Sequence, residues 1–159
     1  MNFRYKLIPG DIGYLTRLHG ILYNREYGYD NTFEAYVARG LADFILNFDN
    51  EKERIWFAED EGKIIGSIAI VKFSEEVAQL RWYFVHPDHR GKGIGKKLIG
   101  EAVEFCRQKK YKSCFLWTTS ELKAGAIIYT KAGFIKTEEK THVIWGAERT
   151  EERYDLDLR

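Results

Sequence analysis

The chain has 159 residues, a length typical of one domain, and carries 25 Lys and Arg against 24 Asp and Glu. A net charge of +1 argues against a nonspecific nucleic-acid binder, which usually shows a strong basic excess. With 45% hydrophobic and 31% charged residues, the composition excludes a disordered tail. We therefore expect one globular domain over residues 1–159 that does not bind nucleic acid.

The N-terminus and the cysteines indicate the compartment. The opening segment MNFRYKLIPGDIG has no apolar region of a signal peptide, and no apolar run approaches the ~20 residues that a membrane span needs. Cys106 and Cys114 form neither a disulfide framework nor a metal knuckle, so we expect two buried or half-buried thiols. The four histidines show no metal-ligand spacing. The sequence predicts a cytoplasmic protein with no metal and no membrane contact.

The first third of the chain predicts a short strand and two helices. Phe3–Ile8 has strand character, and Asp11 is placed to cap the first helix, whose apolar positions are Ile12, Leu15, Leu18 and Leu22. The second helix is expected to begin at Asn31 or Thr32, with Glu34 placed to close a capping box on Asn31. Its apolar stripe has steps of three and four residues and consists of Phe33, Val37, Leu41, Phe44 and Phe48.

The rest of the chain alternates strand and helix patterns. The predicted strands are Arg54–Glu59, Lys63–Phe73, Val77–Val85, Ser113–Thr118, Phe134–Ile144 and Arg153–Leu158. The predicted helices are Gly93–Lys110 and Lys123–Ala132, the second ended by Gly133. The order β, α, α, β, β, β, α, β, α, β, β favours an α+β fold.

The segment LRWYFVHPDHRGKGIGKKL, residues 80–98, predicts a phosphate-binding loop. Gly91, Gly93 and Gly95 lack Cβ atoms at a strand-to-helix turn, so backbone N–H groups can converge there. The helix N-terminus adds partial positive charge. Full charges come from Arg90, Lys92, Lys96 and Lys97.

Two common phosphate loops do not fit this segment. Aligned on Gly95-Lys96, a Walker A loop would need Gly at Arg90 and a hydroxyl residue at Lys97. A dinucleotide fingerprint would need its third Gly at Leu98 or at Lys96. A glycine-rich turn with no ligand stays open as an alternative.

Arg90-Gly91-Lys92-Gly93-Ile94-Gly95 matches Gln/Arg-x-x-Gly-x-Gly/Ala, so the chain resembles the GNAT N-acetyltransferase superfamily. Val85-His86-Pro87 is similar to that family's Val-x-Pro strand end, and residues 127–134, IIYTKAGF, are similar to its second signature. The C-terminal residues 142–146 and 154–158 also resemble acetyltransferase domains found behind MarR-type regulators.

The resemblance implies a GNAT-like fold with a mixed, mostly antiparallel central sheet flanked by helices. It implies that acetyl-CoA is the cosubstrate and that Tyr129 protonates or hydrogen-bonds the departing thiolate. Packing of Tyr129 on Phe134 is the alternative role. The residues expected to bind the donor are Phe84, Val85, Arg90, Gly91, Lys92, Gly93, Ile94, Gly95, Lys96, Tyr129 and Lys131.

The resemblance further implies that an amine acceptor attacks the thioester directly in a ternary complex. Glu26, Tyr27, Arg81 and Tyr83 are candidate acceptor-binding residues, although loop tyrosines also serve to cover a core. Relatives often place a catalytic Glu where this chain has Gln79, which cannot accept a proton as a base. A base acting through water is therefore sought among Glu26, Glu59, Glu75, Glu76 and His86.

His86 and His89 are also placed to cap the phosphate loop, whereas His19 and His142 are interpreted as structural. The missing Glu keeps a second hypothesis open, a non-catalytic acyl-CoA-binding or sensing module. A homodimer is one assembly that the resemblance allows.

Overall fold

The computed structural model describes every residue from Met1 to Arg159. Its elements follow the predicted order, with a short 3₁₀ turn at Pro87–His89. They are β1 (Asn2–Arg4), α1 (Asp11–Tyr27), α2 (Asn31–Leu46), β2 (Arg54–Asp60), β3 (Lys63–Lys72), β4 (Val77–Val85), α3 (Ile94–Gln108), β5 (Ser113–Thr119), α4 (Lys123–Lys131), β6 (Ile135–Ile144) and β7 (Ala147–Asp157).

The strands form one seven-stranded sheet in the order β1-β2-β3-β4-β5-β7-β6. All neighbouring strands are antiparallel except β4 and β5, which run parallel. One core joins a face of the sheet to α3 and α4, and a second joins the other face to α1 and α2. The predicted α+β fold with a mixed, mostly antiparallel sheet is confirmed.

Both cysteines are buried and unbridged, as predicted. No helix combines the length and the apolar character that crossing a membrane would require.

Two predicted helix caps are wrong. The carboxylate of Asp11 accepts hydrogen bonds from Arg4 and from the N–H of Ile8, so the α1 cap is Gly10 without a side-chain bond. The predicted strand Phe3–Ile8 is also too long, because pairing with β2 stops at Arg4, opposite Phe57, and β1 ends there. At α2 the cap is Asp30, which accepts the N–H of Thr32 at 2.9 Å.

Two predicted boundaries also shift. Helix α2 ends at Leu46, so Phe48 lies beyond it and is exposed. Strand β7 begins at Ala147 and not at Arg153, because it pairs with β6 along its whole outer part. Residues 147–152, AERTEE, contain one apolar residue, so this part of β7 lacks the apolar alternation by which sequence patterns reveal a strand.

Candidate active site

The sheet opens where its one parallel pair of strands separates. β4 and β5 pair over only three positions, ending at Gln79 and Phe115. Beyond this point β4 runs on to Val85 with no strand beside it on that side. A bulge at Trp82, whose φ of 49° is unusual for a bulky residue, shifts the register of β4 against β3. The end of β4 therefore presents backbone groups to a gap in the sheet.

One of these groups is the N–H of Val85. The N–H of the next residue, His86, donates to the carbonyl oxygen of Ile65 on β3 at 2.7 Å. Because N–H groups alternate between the two sides of a strand, the N–H of Val85 points into the gap. It is suited to stabilise negative charge on an oxygen bound there.

A cleft of about 290 Å³ occupies this gap, and we call it the main cleft. Its walls are the end of β4, the N-terminus of α3, α1 and α4. Two predicted donor-binding residues, Lys92 and Lys131, are exposed and do not line it. The predicted residues that do line it are Phe84, Val85, Arg90, Gly91, Gly93, Ile94, Gly95, Lys96, Tyr129, Glu26, Tyr27 and Tyr83.

The N-terminus of α3 is suited to bind an anion at one end of the main cleft, because its backbone N–H donors are free. Gly91 and Gly93 have φ values of 77° and 80°, which only glycine adopts without strain. No side chain caps the helix at Gly93, so the first-turn N–H groups have no partner within the helix. Gly95 is required for another reason, since a Cβ atom there would lie 2.3 Å from the hydroxyl of Tyr83.

The cations of this loop differ in availability. Arg90 donates to both carboxylate oxygens of Glu26 at 2.8 and 2.9 Å and to the carbonyl of Val85 at 3.1 Å. It thereby ties α1 to the end of β4. Lys96 lines the cleft and Lys92 lies on the same loop, and neither forms an ion pair. The freely available positive charge is therefore that of the lysines.

Tyr129 lies on α4 and closes the cleft opposite α3. Its side chain is buried, and this burial raises its pKa well above the ordinary value of a phenol. Its ring meets those of Tyr83 and Phe134 edge to face, at centroid distances of 5.7 and 6.2 Å. Burial also raises the pKa of Tyr83 to about 12. Both phenols therefore stay protonated at neutral pH, and Tyr129 also makes the predicted packing contact with Phe134.

The candidate bases are mostly elsewhere. Glu26 reaches the main cleft but is bound by Arg90, and Gln79 lies in the paired part of β4. His86 accepts the N–H of Asp88 and so caps the 3₁₀ turn. The remaining carboxylates are ion-paired away from the cleft: Glu59 with Arg4, Glu75 with Lys72, and Glu76 with Lys112.

Among the histidines, His89 is the one that lines the main cleft. Its Nε2 lies 3.4 Å from a carboxylate oxygen of Asp60, and its Nδ1 is buried with no hydrogen-bond partner. His19 is buried against Phe84 and Tyr23, in line with the structural role expected for it.

A second cavity, which we call the aromatic cavity, adjoins the main cleft. Its wall includes the rings of Tyr29, Phe33, Tyr36, Trp117 and Trp145 and the charged groups of Arg81 and Glu151. Tyr23, Tyr83 and Leu122 line both cavities, so the two meet at the open end of β4. Arg81, one of the candidate acceptor-binding residues, thus lines the aromatic cavity and not the main cleft.

The turn between β6 and β7 forms one wall of the aromatic cavity. Trp145 and Gly146 have φ values of 54° and 96°, as a two-residue type I′ turn requires. The carbonyl of Trp145 accepts the N–H of Asp30 at 3.1 Å. Buried Arg149 donates to the carbonyls of Tyr27 and Trp145 and thereby fixes the turn against the α1–α2 loop.

Sequence reasoning missed Trp145, Arg149 and Glu151 as site residues. The one local signal for Trp145 is its position in a two-residue Trp-Gly turn between strands. Such turns favour Asn or Gly at their first position, so a Trp there is unusual. Arg149 and Glu151 belong to a charged stretch that has no local signature.

The chain belongs to the acetyltransferase (GNAT) family. The profile described as "Acetyltransferase (GNAT) family" matches residues 21–134, well over half of the chain. The predicted family is thus confirmed. The finer similarity to domains behind MarR-type regulators stays a prediction.

Curated relatives align with this chain over only part of their own length. YjgM of Escherichia coli, an uncharacterized N-acetyltransferase, is 38% identical over 82 residues, which cover 50% of this chain and 49% of that protein. Human N-acetyltransferase 8 is 30% identical over 95 residues, covering 57% and 42%. The chain therefore spans about half the length of these relatives, or less.

Solved structures share the fold along nearly the whole chain. YncA of Salmonella typhimurium, solved with its cofactor acetyl-CoA, has a TM-score of 0.79 at 18% identity and covers 99% of this chain and 94% of that one. Spermidine N-acetyltransferase of Vibrio cholerae, in complex with CoA and spermine, has a TM-score of 0.74 at 17% identity, covering 99% and 95%. At these identities the likeness shows the fold alone.

Proposed function

We propose that this protein transfers an acetyl group from acetyl-CoA to a primary amine by direct attack in a ternary complex. The observation that carries the proposal is the meeting of two cavities at Tyr23, Tyr83 and Leu122. A donor in the main cleft and an acceptor in the aromatic cavity would touch at this junction. The fold relatives solved with acetyl-CoA, or with CoA and spermine, support a donor and an amine acceptor of these classes.

The main cleft suits the donor. The free N–H groups at Gly91, Gly93 and Ile94 would bind the pyrophosphate, with Lys96 and Lys92 adding charge. Acetyl-CoA supplies the acetyl thioester, and the N–H of Val85 would hydrogen-bond the thioester oxygen. Lys131, exposed on the last turn of α4, stays a candidate for the outer part of the donor.

The transfer forms one C–N bond and breaks one C–S bond. The neutral amine nitrogen attacks the carbonyl carbon, and the N–H of Val85 stabilises the oxygen as its charge increases. The Tyr129 hydroxyl hydrogen-bonds the departing sulfur and donates a proton to it. The attacking amine releases a proton to solvent, and solvent returns a proton to Tyr129. The products are an N-acetylated amine and CoA with a free thiol. Cys106 and Cys114 are buried in the core, so neither offers a thiol for an acetyl-enzyme intermediate.

The test is acetyl-CoA-dependent release of free thiol across a panel of small amines, amino acids and peptides. We expect thiol release that requires an amine and equals the N-acetylated product found by mass spectrometry. Tight binding of CoA with no turnover on any amine would contradict transfer and favour the sensing module. The aromatic cavity beside the cleft favours transfer, because a module that only binds CoA needs no second cavity. The cytoplasmic location and the homodimer stay predictions.

A further inference from the structure

We infer that the acetyl acceptor is a free α-amino acid with a compact apolar side chain, bound in the aromatic cavity. In this arrangement Glu151 binds the amino group, Arg81 binds the carboxylate, and the aromatic rings enclose the side chain. The inference rests on the proposed acetyl transfer and specifies the class of its acceptor.

Arg81 is the first observation, because its charge has no counterpart. Its Nη2 donates to the hydroxyl of Tyr36 at 3.2 Å, and its guanidinium lies 4.4 Å from the ring centre of Trp82. It forms no ion pair, whereas Arg90 and Arg149 beside the cleft each bind a carboxylate. A guanidinium offers two parallel N–H donors, the geometry that a carboxylate accepts. The stacked, unpaired Arg81 therefore suits an anionic group of the acceptor.

Glu151 is the second observation. Its side chain is 13% exposed, and its Oε2 accepts a hydrogen bond from His142 at 2.6 Å and lies 3.7 Å from Lys140. The other oxygen, Oε1, has no partner within the protein. A carboxylate oxygen in a cavity wall that is free to accept is suited to an amino group. Arg81 therefore offers donors at one point of the cavity, and the free Oε1 of Glu151 offers an acceptor at another, which match the carboxylate and the amino group of an amino acid.

The rings are the third observation. Trp145 lies 4.9 Å from Phe33, 5.1 Å from Tyr29 and 5.5 Å from Tyr36, measured between ring centroids. It does so from a left-handed backbone conformation, a strained state that persists where surrounding contacts impose it. The cavity has a volume of about 110 Å³, against about 290 Å³ for the main cleft. This volume favours a compact apolar side chain.

Other amines fit these features less well. A polyamine would bring a second cation towards Arg81, and the two would repel each other. An apolar amine without a carboxylate would cover Arg81 and leave its donors unpaired. A preference for acceptors that carry a carboxylate therefore distinguishes an amino acid acceptor from these other amines.

The test compares matched acceptors on the wild-type protein. L-leucine, L-leucinamide and 3-methylbutylamine share one side chain and differ in the carboxylate, and L-valine, L-valinamide and 2-methylpropylamine form a second set. We expect kcat/KM to be at least ~10-fold higher for the amino acid than for the amide or the amine in at least one set, since a bidentate charged contact typically stabilises by more than 1.4 kcal/mol.

Arg81→Gln should lower kcat/KM for the amino acid at least ~10-fold, chiefly through KM, and should reduce the difference between amino acid and amide. The matched control is Arg39→Gln, which changes an exposed arginine of α2 outside the cavity. Glu151→Gln should lower kcat/KM for the amino acid and the amide alike and leave the affinity for acetyl-CoA unchanged.

The outcomes separate the two proposals. Acetylation of amines with no preference for a carboxylate, or equal losses for amino acid and amide in Arg81→Gln, would overturn this inference and leave acetyl transfer standing. Absence of turnover on every amine, with acetyl-CoA bound, would overturn both.

Discussion

At the scale of single residues, the proposed chemistry depends on buried tyrosine hydroxyls in an apolar wall. Burial raises the pKa of Tyr129 well above the ordinary value, so its proton is present at neutral pH. A free phenol of pKa ~10 is already a weaker acid than a thiol of pKa ~8.5. The same burial would also raise the pKa of a thiol that leaves into that wall, because the charged thiolate is disfavoured there. A raised pKa of Tyr129 is therefore compatible with its proposed role as proton donor.

Tyr129→Phe removes the hydroxyl and keeps the ring contacts with Tyr83 and Phe134. We expect kcat to fall by roughly 10²–10⁴-fold, the usual range for general acid assistance. The affinity for acetyl-CoA should change much less, because the hydrogen bond strengthens only as charge builds on sulfur. The measurements are kcat and calorimetric affinity. Tyr111→Phe, which removes a buried hydroxyl bonded to the carbonyl of Lys52, is the control and should keep wild-type kcat. If Tyr129→Phe keeps the wild-type kcat, the hydroxyl does not donate the proton and Tyr129 serves only to pack the cleft wall.

His19 makes stability depend on pH. Full burial lowers its pKa to about 4, and its Nδ1 lies 2.9 Å from the carbonyl oxygen of Leu15 as the neutral ring's donor. Between pH ~6.5 and 4 the unfolded chain binds a proton that the folded chain does not, so stability falls as the pH falls. The loss from His19 by pH 5 should be on the order of 1–2 kcal/mol.

The measurement is urea unfolding at pH 7.5 and pH 5.0. His19→Gln and His19→Phe should both show a smaller loss of stability between the two pH values than the wild type, whatever their stability at pH 7.5. If both variants lose as much as the wild type, His19 does not control the acid response.

At the scale of elements, the N-terminus of α3 is the proposed phosphate site. Gly93→Asp places a side chain at a φ of 80° and a negative charge beside the pyrophosphate. We expect acetyl-CoA affinity to fall at least ~10-fold, or ~1.4 kcal/mol. Gly100→Asp is the matched control, because it adds the same charge to an exposed face of α3 where a Cβ meets nothing within 4 Å.

Calorimetry measures both affinities, and CoA should raise the melting temperature of the wild type and of Gly100→Asp. Unchanged affinity in a folded Gly93→Asp protein would exclude this site for the pyrophosphate.

Alanine substitutions in two turns of the same type distinguish the effect of backbone strain from the effect of a changed cavity shape. Glu61-Gly62 and Trp145-Gly146 both have positive φ at their two central residues. Alanine at Gly62 would meet no atom within 4 Å, whereas a Cβ at Gly146 would lie 3.0 Å from a carboxylate oxygen of Asp30. Each substitution should destabilise by ~1–2 kcal/mol for its left-handed conformation. Gly146→Ala should also raise the KM of the acceptor several-fold, because it displaces the loop that walls the aromatic cavity. Equal KM values in the two variants would contradict that placement.

At the scale of the whole molecule, the sequence predicts the donor side far better than the acceptor side. The proposed phosphate loop lies in one continuous segment, and its glycines and lysines indicate it without knowledge of the fold. The element order follows from local periodicity, which is strong in α2 and α3. These features require no long-range contact.

The aromatic cavity has no such local signature. Phe33 comes from α2, Arg81 from a bulged strand, and Glu151 from a strand with few apolar residues. They become neighbours only because β4 and β5 separate and because Arg149 draws the β6–β7 turn to the α1–α2 loop. Sequence patterns report local propensity and burial, so they could not place these residues in one cavity.

The central claim is that donor and acceptor occupy adjoining cavities at the same time. Initial rates, measured over a grid of acetyl-CoA and acceptor concentrations on the wild-type protein, test it most directly. Direct attack in a ternary complex predicts double-reciprocal lines that intersect to the left of the vertical axis. Parallel lines, the pattern of a covalent acetyl-enzyme that forms before the amine binds, would contradict the account.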